Sequence, residues 1–339
     1  MLLRRSASAQ RIGALTGAAV FCLSLAACGG GDATDETPTD REQLSMSTIT
    51  SVAATNTLQV GITIPGYPHK IDVYRPAGAT KAIVFLHGRG GTTGQLAYDM
   101  GFNRTIAAPT TRTVNWDWLT RNGIIAVFPQ GQVMPGTTVS TWSNYLTNSG
   151  QDDVAFLGAL SSYTKAQFGA TEVSLTGHSN GGAMTARMWC EGTTAFKAFV
   201  SMAGPMVSPT YPIPSPTCTP LAQAPYYIIV GGKDQQLAKF VLGGPPPTSE
   251  EVAAGLTDTI LVSEWQRHQG RSLAVCGETP PLSGSTMAAS GPTWNACGAR
   301  VRYTIVSNAD HPISSLEQYA GVKMVDVIAG FVASSSPSH

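Results

Sequence analysis

Charge is what this sequence has least of. Of 339 residues, 21 are Lys or Arg and 21 are Asp or Glu, so the formal net charge is zero and charged side chains make up 12%. No basic stripe or cluster is present, which excludes an electrostatic grip on a nucleic-acid backbone. Beyond residue 27 no run is long and apolar enough to cross a bilayer. No pair of cysteines has the C-x-x-C spacing of a zinc site, and no metal or other cofactor is expected. The chain has no internal repeat, and no second domain is expected after the first.

What is present begins with a basic, then apolar, N-terminus. Arg4, Arg5 and Arg11 lead into a run from Ile12 to Ala27, the pattern of a secretory signal over residues 1–27. It ends in Leu25-Ala26-Ala27-Cys28, which resembles a bacterial lipobox, so Cys28 is the expected lipidation site. A plain signal peptide cut near Ala27 is the alternative. Residues 28–50, opening on three glycines and continuing acidic and Thr-rich, suit a flexible tether. The expected location is the cell envelope, periplasmic or surface-exposed, with contact to the membrane through the lipid only; free secretion is the alternative.

Cys22 and Cys28 belong to that leader, leaving Cys190, Cys218, Cys276 and Cys297 of the six cysteines. An even number in an oxidising compartment reads as two disulfides with three possible pairings. Sequence proximity favours Cys190–Cys218 and Cys276–Cys297.

Residues 51–334 read as one α/β domain. Apolar runs such as Ala82–Leu86 and Tyr226–Val230 are continuous rather than alternating, as in strands buried on both faces. Eight β-type runs are expected: 58–64, 70–75, 82–87, 124–129, 173–176, 198–202, 226–230 and 301–306. Helical patterns fall at 152–169, 180–190, 249–269 and 316–332. Two hairpin-like strands followed by alternating strand and helix predict a mostly parallel sheet of about eight strands, covered by helices. Pro- and Gly-rich stretches at 205–225, 243–247 and 276–292 read as loops.

The chemistry centres on Gly177-His178-Ser179-Asn180-Gly181. A G-x-S-x-G pattern alone is short enough to arise by chance. Here a strand precedes it and a helix follows, the context of a nucleophile elbow in which the glycines permit a sharp turn. Ser179 needs a base and the base needs an acid. His311 lies in a loop after the last strand. Asp234 directly follows the apolar run ending at Val230, while Asp310 is the rival, with loop-shaping as its plainer role. Asn180 would lend one backbone N–H to an oxyanion. The loop His87-Gly88-Arg89-Gly90-Gly91 would lend the other, from Arg89 or alternatively Gly88. His87 reads as a buried support. In the segment 132–151, Trp142 is a candidate substrate-stacking ring, with core packing as the equal alternative. His178 has no firm role beyond touching substrate. Asp152 and Asp153 read as the cap and first turn of a helix.

These residues resemble the extracellular polyhydroxybutyrate depolymerase and feruloyl esterase family of α/β-hydrolases. The likeness rests on Gly177–Met184, on Asp152–Leu157 before it and on Phe196–Gly204 after it. It implies an α/β-hydrolase fold, a Ser179, Asp234, His311 triad and ester hydrolysis. It also hints that one of Asp152 and Asp153 supports the site. The loop Ala309–Ile313 departs from the Gly-His-x-Trp-Pro pattern of many relatives, so the acyl pocket near His311 is expected to differ. The expectation is an exported serine esterase acting on polyhydroxyalkanoate or other polyester, or on their oligomers. Feruloyl or acetyl esters of plant polysaccharide are the alternative substrates. Two other readings are a non-catalytic binding lipoprotein, which gives no reason to keep all three triad groups, and a peptidase, for which no acidic amine-binding pair is found.

Overall fold

Apolar runs place the strands. The computed structural model describes residues 54–106, 112–204, 218–221, 223–240, 269–270, 272 and 275–335, all within one compact unit, Ile49–His339. The signal, the tether, Cys28, the loops at 205–217 and 243–247, and all but the last residue of the expected helix at 249–269 lie outside the described residues.

Ten strands form the main sheet. Along the chain they are β1 (Thr57–Ile62), β2 (Ile71–Arg75), β3 (Lys81–Leu86), β4 (Ile124–Pro129), β7 (Glu172–His178), β8 (Phe199–Met202), β9 (Tyr226–Gly231), β10 (Thr286–Ala288), β11 (Gly291–Ala296) and β12 (Val301–Val306). The short strands β5 (Gln132–Val133) and β6 (Ser140–Thr141) pair separately. The order across the main sheet is β1-β2-β4-β3-β7-β8-β9-β12-β11-β10. From β4 to β12 every pairing is parallel, β2 runs against both its neighbours, and β11 and β10 return antiparallel.

Alternate residues of the central strands feed two cores, as the continuous apolar runs require. Val84 and Leu86 of β3 pack on one face with Phe156, Leu157, Met184 and Trp189. Ile83 and Phe85 pack on the other with Leu96, Trp118, Leu316 and Phe331. The first core is covered by α3 (Asp153–Phe168) and α4 (Asn180–Cys190). The second is covered by α1 (Thr93–Asp99), α2 (Trp116–Asn122), α6 (Ile313–Ala320) and α7 (Met324–Ser334). A short helix, α5 (Gln235–Phe240), follows β9. This is the α/β-hydrolase fold.

All eight expected strands are present, but the sheet has two more. The stretch 276–292 read as loop because β10 is three fully exposed residues and β11 opens on Gly291-Pro292. Gly291 is required there: at φ 131° a Cβ would stand 2.4 Å from the Ile305 carbonyl oxygen. The helix expected at 316–332 is two helices, divided at Gly321, a left-handed C-cap with φ 69° of the kind glycine favours. Disulfides join Cys190 to Cys218 and Cys276 to Cys297, the pairs that proximity favoured. Among the described residues no helix is long and apolar enough to cross a membrane.

Candidate active site

Ser179 occupies the turn between β7 and α4 with φ 55° and ψ −117°. A non-glycine residue in that region stores about 1–3 kcal/mol and persists only where its surroundings enforce it. Here they do. The Ser179 amide donates to Met202 O at 2.9 Å. A Cβ on Gly177 would lie 2.2 Å from Gly181 O, and one on Gly181 would lie 2.3 Å from Leu86 O. Helix and strands approach too closely for any side chain at either glycine. The turn thus projects the serine beyond the carboxyl end of the sheet. It also places the Asn180 amide at the positive end of an 11-residue helix, where developing negative charge is favoured.

The adjacent strand ends deliver the other groups. Asp234 stands between β9 and α5, its carboxylate almost completely buried. Its Oδ1 accepts from the amides of Gln236 and Leu237, both at 2.9 Å. His311 Nδ1 lies 2.9 Å from Oδ1 and 2.8 Å from Oδ2, so Nδ1–H donates to the carboxylate and Nε2 is left as the basic nitrogen. Asp310 does not serve the ring. Its Oδ1 accepts from the amides of His311 (2.8 Å) and Gln235 (3.1 Å), which hold its carboxyl below the usual carboxylate range. It clips the His loop to the Asp loop.

His178 has a definite partner. Its Nε2–H donates to His311 O at 2.8 Å, and the two rings stand 5.0 Å apart. Burial, and then the nearby His311, lower its pKa to about 4. His87 is a support, as expected: Nδ1–H donates to Gly88 O at 2.7 Å, and Nε2 accepts from the Gly131 amide at 2.9 Å. Burial lowers its pKa to about 4 as well. In the glycine loop, the Gly90 and Gly91 amides are engaged by Ser140 O and Gly88 O. Among the described residues that leaves the amides of Gly88 and Arg89. Gly88 passes so close that a Cβ there would be 3.2 Å from Ser179 Cβ.

Ser179, His311, Asn180, Arg89 and His178 all line one cleft of about 690 Å³, with Leu96, Val139, Leu146, Ala183 and Leu237 among its apolar walls. Trp142 is a correction. It is fully buried, donates Nε1–H to His87 O at 3.0 Å and packs its ring 5.3 Å from that of His87. It offers no stacking face to a substrate. From the same segment Val139, Leu146 and Thr147 reach the cleft instead. They carry no sequence signal, since isolated side chains in a loop have no pattern. Asp153 is paired with the buried His69 at 2.7 Å, a partner that no sequence signal announces. Asp152 is the N-cap of α3, accepting from the Ala155 amide at 3.0 Å.

No protein-family model matches the sequence, and no curated protein matches it significantly. Solved structures similar to this chain include a hyperthermophilic esterase from the archaeon Pyrobaculum calidifontis, with 14% identity and a TM-score of 0.49 over 83% of this chain and 84% of that one. Another is poly(aspartic acid) hydrolase-1 from Sphingomonas sp. KT-1, at 13% and 0.48 over 78% and 97%. A third is acetyl xylan esterase from Aspergillus awamori, at 17% and 0.47 over 78% and 99%. At such identities and scores the likeness decides neither substrate nor mechanism, and the assignment of this fold stands on the sheet and the elbow themselves.

Proposed function

We propose that the protein is an exported serine esterase that cleaves carboxylic esters through an acyl-enzyme. One observation carries this reading: a buried Asp234 carboxylate bonded to the partly exposed His311, whose basic nitrogen has no partner among the described residues, in the same cleft as a serine held at φ 55°. His311 Nε2 takes the proton from Ser179 Oγ as Oγ bonds to the ester carbonyl carbon. The amides of Asn180 and Arg89 hold the oxyanion. Collapse of that intermediate expels the alcohol, which receives the proton from His311. Water, deprotonated by His311, then releases the acid and restores Ser179.

The apolar walls suit an uncharged aliphatic acyl chain, so oligomers of a hydroxyalkanoic acid are the proposed substrates. A panel of a 3-hydroxybutyrate oligomer, methyl ferulate and p-nitrophenyl butyrate tests this, with Ser179→Ala as control. Preference for the oligomer supports the reading, and preference for methyl ferulate moves the substrate to aromatic plant esters. No hydrolysis of any of them removes the enzyme reading. Anchoring through Cys28 is proposed from the sequence. Incorporation of labelled fatty acid that disappears in Cys28→Ser supports it, and unlabelled wild-type protein contradicts it.

A further inference from the structure

Asp152 caps α3, so Asp153 is not needed for capping. Its side chain is instead fully buried and receives three donors. His69 Nε2 reaches Oδ1 at 2.7 Å, while the Ser143 amide and Ser149 Oγ reach Oδ2 at 2.5 Å and 2.7 Å. A carboxylate removed from water costs several kcal/mol unless such donors replace its hydration. His69 is held in turn by stacking on Phe156, with ring centroids 3.7 Å apart. Among the described residues its Nδ1 has no hydrogen-bond partner, so only one of its nitrogens is used.

What this carboxylate fixes is the segment that wraps Asn180. Ser143 is pinned from one side by Asp153 and from the other by Arg187 Nη1, which donates to its carbonyl at 2.6 Å. The residues flanking Ser143 grip Asn180 directly. The Trp142 amide and Thr141 Oγ1 donate to Asn180 Oδ1 at 2.9 Å and 3.0 Å, and Asn144 Nδ2 donates to Asn180 O at 3.1 Å. Asn180 Nδ2 donates back to Thr147 Oγ1 at 2.7 Å. Side-chain amide and backbone carbonyl of the residue proposed to hold the oxyanion are therefore both tied to one short segment. That segment is anchored on Asp153.

Resting on the esterase reading, we infer that Asp153, held by His69, is a positioning residue for the oxyanion side of the site. It acts through Ser143 and its neighbours on Asn180 and does not touch substrate. A displacement of about 1 Å at such a donor costs up to roughly 100-fold in rate. Asparagine at 153 keeps the shape but turns an NH₂ group toward at least one of the three donors. Glutamine at 69 keeps a donor near the position of Nε2, while phenylalanine keeps only the stacking.

The test measures kcat and KM on p-nitrophenyl butyrate, the affinity for an aryl trifluoromethyl ketone, and the melting temperature. Asp153→Asn is expected to lower kcat by about 10- to 100-fold with KM changed less than about threefold, and to weaken the ketone, whose adduct carries an oxyanion, by a similar factor. His69→Phe should behave likewise and His69→Gln should stay within about threefold of wild type. Asn180→Ala combined with Asp153→Asn should be no worse than the poorer single variant, because both act through one contact set. A folded Asp153→Asn with wild-type kcat and ketone affinity, additive losses in the double variant, or equal damage from His69→Gln and His69→Phe would overturn the inference. If Asp153→Asn does not fold, the two His69 variants decide. Wild-type protein that cleaves no ester removes the esterase reading and this inference together. An active wild type with unaffected variants removes only the inference.

Discussion

His178 donates its Nε2 proton to the backbone carbonyl of His311 at 2.8 Å, so the residue before the serine holds the loop that carries its proposed base. In His178→Ala that tie is lost, and the imidazole of His311 is free to move relative to Ser179. kcat should fall by about tenfold, while His178→Gln, which retains a donor, should recover most of the rate. Steady-state kinetics of the two variants check this. Equal activity of His178→Ala and wild type would show that the tie is idle.

The two glycines of the elbow predict a stability effect. A methyl group on Gly181 would meet backbone, the Leu86 carbonyl oxygen at 2.3 Å, and not the movable end of a side chain. Relief requires shifting β3 against α4, so Gly181→Ala should cost about 3 kcal/mol or more. Soluble yield and thermal unfolding measure it. A melting point within a degree or two of wild type would contradict the packing described.

His87 gives the fold a pH dependence with a definite sign. Its pKa falls from 6.5 in the unfolded chain to about 4 in the folded one, through burial. The folded state resists protonation that the unfolded state accepts. Its contribution is therefore fully present above pH 6.5 and is lost progressively as pH falls from 6.5 toward 4, by about 3 kcal/mol at most. Nitrogen-detected NMR of the imidazole should show the Nδ1–H tautomer still neutral at pH 5. Titration near 6.5 would contradict the buried geometry, in which Nε2 accepts from Gly131.

Reduction should destabilise the protein. The bridges close loops with sequence separations of 28 and 21 residues, each worth about 3 kcal/mol by the loop-closure estimate. Melting curves with and without reductant test this, and an unchanged midpoint would count against both bridges.

Much of the site is legible in the sequence because its parts are backbone-driven. Gly177 and Gly181 mark the turn, Ser179 stands between strand and helix, and Asp234 and His311 follow apolar strands. Local pattern marks each of these positions, and the family resemblance joins Ser179, Asp234 and His311 as a triad. The burial of Trp142 and of His69 is not readable locally for one shared reason: which side of a segment faces the core is decided by partners far along the chain. Asp153 lies 84 residues from His69, and nothing in the hairpin around His69 announces that pairing. The helices α1, α2 and α5, of seven, seven and six residues, are too short for a 3.6-residue period to be read. β10 is fully exposed and has no hydrophobic alternation to betray it.

Ser179 is proposed as a nucleophile activated by His311 and Asp234. Treating the protein with a fluorophosphonate and mapping the adduct by mass spectrometry tests it most directly. One modified peptide with the adduct on Ser179 is expected, with strongly slowed labelling in His311→Ala and none in Ser179→Ala. Unlabelled wild-type protein, or labelling that persists unchanged in Ser179→Ala, would contradict it.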